Sequence, residues 1–73
     1  MIEEKDIATK INSIILDIYV KLEDSVRLVR EKCGENGVTE YRRAIAMVMG
    51  SIVLDVMNPL YLKYPDLKPK GFI

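Results

Sequence analysis

The chain of 73 residues has no histidine, no tryptophan and one cysteine, Cys33. These absences exclude much chemistry. A lone thiol closes no internal disulfide, and without histidine there is no zinc site of the ordinary Cys/His kind. Nor is there a histidine base to turn Cys33 into a nucleophile, and its expected place at a helix C-terminus sets the helix dipole against a thiolate. Cys33 is therefore read as a small apolar residue. No proline or glycine occurs before Gly34, and the first proline is Pro59. Charge of one sign is also lacking. Eleven basic and eleven acidic residues cancel, which speaks against a protein whose main task is to neutralise nucleic-acid phosphate. The start of the chain, Glu3-Glu4-Lys5-Asp6, is acidic where a secretory signal would be basic, so the cytoplasm is the expected compartment. The P-loop, dinucleotide-binding and calcium-loop patterns are missing. No catalytic residue, metal or cofactor is therefore assigned, and an enzyme is less expected than a non-catalytic protein.

What is present is apolar surface, since 49% of the residues are hydrophobic. A chain this short buries a small share of its surface and needs staples or partners. With disulfide and zinc excluded, other copies of the chain are the expected support.

Apolar residues recur at helical spacing through Ala8, Ile11, Ile15, Tyr19, Leu22, Val26, Val29 and Cys33, predicting a helix over about 3–33. Ile7, Ile14, Ile18 and Leu28 widen the stripe beyond what one neighbour covers. The other side carries Asp6/Lys10, Asp17/Lys21 and Glu23/Arg27, acid before base at the favourable spacing. Gly34-Glu35-Asn36-Gly37 predicts a turn over 34–38. Thr39 reads as the N-cap of a second, very apolar helix over about 40–57, which Asn58-Pro59 should stop. Residues 58–73, with three prolines, are expected to be an extended tail lying along the first helix through Leu60, Tyr61, Leu62 and Tyr64. The expected fold is all-α: a two-helix hairpin with an extended tail, one domain over 1–73, associating into a four-helix-bundle-like homodimer or higher oligomer. A membrane span is not expected, because the apolar middle of the second helix, Ala44 to Leu54, is roughly half the ~20 residues required.

Three charged residues are the candidate ligand-binding set. Arg42 and Arg43 lie in the first turn of the second helix, where amide ends attract anions, and Asp55 is a carboxylate in the most apolar segment, costly if buried alone. A turn centred on 34–38 sets Asp55 level with Asp17 and Arg42 level with Arg30, like against like. Antiparallel pairing of two copies of the second helix instead sets Arg42 of one copy beside Asp55 of the other. The expected oligomer interface is Ile45, Ala46, Met49, Gly50, Ile52, Val53 and Val56. Met47, Met49 and Met57, with Met1, are read as core filling rather than an adaptable groove. Besides itself, the chain has a possible protein partner through Leu60, Tyr61 and Tyr64 of the tail. The leading functional expectation is a protein-interaction module; an anionic-ligand site or small enzyme between helices comes second, and nucleic-acid binding through Arg27, Arg30, Lys32, Arg42 and Arg43 third, since Glu31, Glu35 and Glu40 dilute that patch.

Overall fold

The computed structural model describes residues 2–71; Met1, and Phe72 and Ile73 of the expected tail, lie outside them. The described residues are helical almost throughout, and none is in a strand. Helix α1 (Lys5–Ile52) leads into a π turn (Val53–Met57), helix α2 (Asn58–Lys63) and a 3-10 turn (Pro65–Leu67).

The helical run from Lys5 to Lys63 contains 59 residues and would be about 88 Å long if straight. The longest dimension of the molecule is 43 Å, so the run is folded back on itself. The fold is at Gly34, the residue within α1 whose backbone is not helical (φ 74, ψ −174). That conformation is essentially reserved for glycine. Residues 5–33 form a first arm and residues 35–63 a second.

This corrects the expected hairpin of two helices separated by a turn over 34–38. One glycine reverses the chain, the helix resumes at once, and no loop intervenes. Thr39 is consequently not an N-cap: its hydroxyl donates to the Glu35 carbonyl oxygen one turn back, at 2.8 Å. Asn36-Gly37 is helical too, and what Gly37 supplies is space, because a Cβ there would lie 2.7 Å from the Cβ of Cys33. Across the fold the Tyr41 hydroxyl donates to Ser25 Oγ at 2.9 Å, and Arg30 and Arg42 both approach Glu35. Cys33, expected on the apolar stripe, is exposed beside the fold.

A second correction concerns Pro59, which does not end the helix. Proline lacks an amide hydrogen and its ring crowds the carbonyl four residues earlier, here that of Asp55. The π turn Val53–Met57 lies across this position, and Pro59 sits in the first turn of α2, where a missing N–H costs nothing. The π turn also takes up one extra residue, worth about 100° of helical phase. Without it, Met57, Leu60, Tyr61 and Tyr64 would point about 100° away from the face that carries Val38, Tyr41, Ile45, Met49 and Ile52. With it, both sets face the first arm.

The core accordingly sits at the open end of the molecule. Ala8, Met57, Leu60 and Tyr61 are buried together, with Ile2, Ile15, Leu16, Ile52, Val53, Tyr64 and Leu67 packed around them. Polar contacts tie the C-terminal segment down: the Tyr61 hydroxyl donates to Asn12 Oδ1 at 2.5 Å, Asn12 Nδ2 donates to the Leu67 carbonyl at 3.1 Å, and the Tyr64 hydroxyl lies 2.9 Å from the carbonyl oxygens of Ile2 and Glu3. Lys5 pairs with Asp66, and Lys63 with Glu3 at 3.4 Å. The segment after Asn58 is thus helical and then a 3-10 turn, where an extended tail was expected. It packs on its own chain through Leu60, Tyr61 and Tyr64, while Leu62 is 86% exposed.

Candidate functional site

Two surfaces of this molecule are unusual, and they lie on opposite sides of the layer formed by the two arms. The first is an open groove of about 300 Å³ between the arms near the fold. Glu23, Val26, Arg27 and Arg30 line it from the first arm, and Arg42, Ile45, Ala46 and Met49 from the second. Arg27 and Arg30 stand three residues apart on one helical face, and the reversal at Gly34 carries Arg42 to the same groove. The charges are partly answered already. Glu35 lies 3.8 Å from Arg30 Nε and 4.0 Å from Arg42 Nη2, and Arg27 pairs with Asp24 at 3.2 Å rather than with Glu23. All are exposed pairs, worth about 0–1 kcal/mol each, so an incoming anion would exchange partners at little cost. Chemically, the groove offers guanidinium donors above an apolar floor.

The second surface is the side of the second arm turned away from the first. Advancing about 100° per residue, Ala44, Met47, Val48, Ser51 and Leu54 share this side. All are exposed, Met47 to 73%, Leu54 to 68% and Val48 to 48%. Ile7, Ile14 and Ile18 of the first arm are exposed as well, and their helical phase turns them away from the groove. Arg43 and Asp55 border the outward stripe of the second arm. Both are exposed, and among the described residues neither forms an ion pair.

The three sequence-predicted ligand residues are therefore separated. Arg42 lines the groove, whereas Arg43 and Asp55 belong to the outward side. Arg27 and Arg30 take their place beside Arg42; both stood out in the sequence as loop-end arginines, but only the register of the arms gathers these three and leaves Arg43 out. Of the expected interface residues, Ile52 and Val53 pack on the chain's own core, Ile45, Ala46 and Met49 line the groove, and Gly50 and Val56 are half-buried. The apolar residues left uncovered on this arm lie on its other side. No cluster of three or more cysteine, aspartate or glutamate side chains forms among the described residues.

Because the helix continues past Pro59, the run Lys5–Lys63 holds eighteen residues apolar enough to cross a membrane by length and composition. The first arm bears on this. It runs alongside the second and brings Asp17, Lys21, Glu23 and Asp24 with it, all exposed.

The chain matches no protein family, no curated protein sequence and no solved structure.

Proposed function

We propose that the chain is a small homo-oligomeric helical protein that works through protein contacts, as an adaptor, regulator or neutralising partner, rather than by catalysis. The observation that carries this reading is surface area. The molecule exposes 5383 Å², where a compact monomer of 8.4 kDa exposes about 4,600 Å². The excess, about 800 Å², equals what one partner contributes to a standard protein–protein interface. Ile7, Ile14, Ile18, Met47, Val48 and Leu54 are exposed on the side away from the groove, which is how an interaction surface differs from scattered surface leucines. The exposed thiol of Cys33 fits a reducing compartment such as the cytoplasm.

Native mass spectrometry of the protein taken from its source reports oligomeric state, partner and bound ligand together. Masses of two or more copies, alone or with another protein, support the reading; a compact single chain at micromolar concentration sinks it.

The groove favours a second reading, an anionic ligand with an apolar body held by Arg27, Arg30 and Arg42. Inorganic phosphate and a medium-chain fatty acid serve as probes. A rise in melting temperature with either one, absent in Arg42→Ala, supports ligand binding, and no shift with both removes it.

A further inference from the structure

We infer that the occupant of the outward side of the second arm is a second copy of the same arm, antiparallel to the first, with Arg43 of each copy paired to Asp55 of the other. The inference rests on the homo-oligomeric reading above and adds the face, the direction and the register.

Charge complementarity fixes the register. Arg43 and Asp55 are twelve residues apart, about 18 Å along a helix, and lie at the two ends of an outward stripe that has no charged residue between Ala44 and Leu54. A two-fold axis level with residue 49 makes that stripe self-complementary, because it superposes each end on the opposite charge of the other copy. Side-chain size agrees with the same axis. It sets Met47 against Ser51 and Leu54 against Ala44, large against small both times, which lets two helices approach closely without voids. In a parallel arrangement Arg43 would meet Arg43 and Asp55 would meet Asp55.

The expected pairing of Arg42 with Asp55 is thereby replaced by its neighbour. Arg42 faces the groove beside Glu35, rotated by about 100° from Arg43. Lipid is the competing occupant of an apolar face, and two features oppose it: the charges bracket about 18 Å where a bilayer core is about 30 Å thick, and the accompanying first arm would carry its exposed charges into the hydrocarbon.

The test uses the full chain in sedimentation equilibrium at micromolar concentration. The unaltered protein is expected at twice the chain mass, or a multiple of it. Asp55→Arg and Arg43→Asp should each halve the mass, and the two together should restore it. A cross-link checks the register without relying on charge. In a Cys33→Ser background, Met47→Cys mixed with Ser51→Cys should oxidise to a disulfide-linked pair, while each variant alone should not, because residue 47 then faces residue 51 and not itself. An oligomer that survives both charge reversals and yields no mixed disulfide overturns the register and leaves homo-oligomerisation standing. A monomer overturns both. Co-sedimentation of the unaltered protein with neutral phospholipid vesicles, lost in Met47→Lys, overturns the second copy in favour of lipid.

Discussion

Gly34 determines the fold more than any other single residue. Its backbone stands in a region where an added Cβ is strained, although the space around it is open. Gly34→Ala should therefore cost about 1–3 kcal/mol, read as a fall in urea midpoint at unchanged slope. Gly37→Ala isolates the other requirement. Alanine is the better helix former by about 1 kcal/mol, but its Cβ meets the stiff Cβ of Cys33 at 2.7 Å; a net loss of stability is expected, and a gain would show that the arms relax apart. At the far end Asp66 reports on the seating of the C-terminal segment. The hydrogen bond from Lys5 holds its carboxyl below the usual carboxylate range. A lowered folded-state pKa adds stability above the unfolded value of about 3.9, and that stability is lost as pH falls through the folded value. The melting temperature should thus drop on acidification below about pH 4, and Asp66→Asn should flatten the part due to this pair. Of these residues, Gly34 was legible in the sequence as a chain-reversing glycine, and Tyr61 and Tyr64 as anchors. The Lys5–Asp66 pair was not, since it spans 61 positions and depends on where the whole second arm ends.

At the scale of elements, helical periodicity up to Cys33 and the apolar character of 44–54 were readable, because both follow from local side-chain pattern. Boundaries were not. Asn36-Gly37 and Asn58-Pro59 are turn and stop signals by local propensity, yet each is absorbed into helix: the first because Gly34 has already reversed the chain, the second because the π turn accommodates the proline. The π turn itself leaves a trace in the sequence, for the packed positions Val38, Tyr41, Ile45, Met49 and Ile52 continue as Met57, Leu60, Tyr61 and Tyr64 only if one residue is skipped. Removing that residue is a direct test. In a Pro59→Ala background, which removes the ring that the π turn accommodates, deleting exposed Leu54 should turn the π turn into ordinary helix and keep both sets of packed residues on one face, with cooperative melting retained. Deleting Val48, equally one residue but inside regular helix, should rotate everything beyond it by about 100° and abolish cooperative melting. Equal damage from both deletions would remove the phase-resetting role.

For the whole molecule, the balance between buried and exposed apolar surface decides its behaviour. Among the described residues five hydrophobic ones are buried, while Ile14, Val20, Leu28, Met47, Leu54 and Leu62 are each more than half exposed. A single copy of this shape has little to hold it together beyond the cluster at its open end, so much of its stability should come from association. If folding and assembly are coupled, dilution lowers the melting temperature by mass action. Tenfold dilution removes about 1.4 kcal/mol per dimer, which for two chains of this length corresponds to roughly 3–6 °C. Differential scanning calorimetry over a hundredfold range of concentration should show that slope. Met47→Lys, which places a charge in the middle of the outward stripe, should lower the melting temperature at high concentration and flatten the slope, because a chain that no longer associates has nothing to lose on dilution. A melting temperature independent of concentration in the unaltered protein would mean that the cluster around Met57, Leu60 and Tyr61 stabilises the chain by itself, and that the exposed apolar side serves something other than a copy of the same molecule.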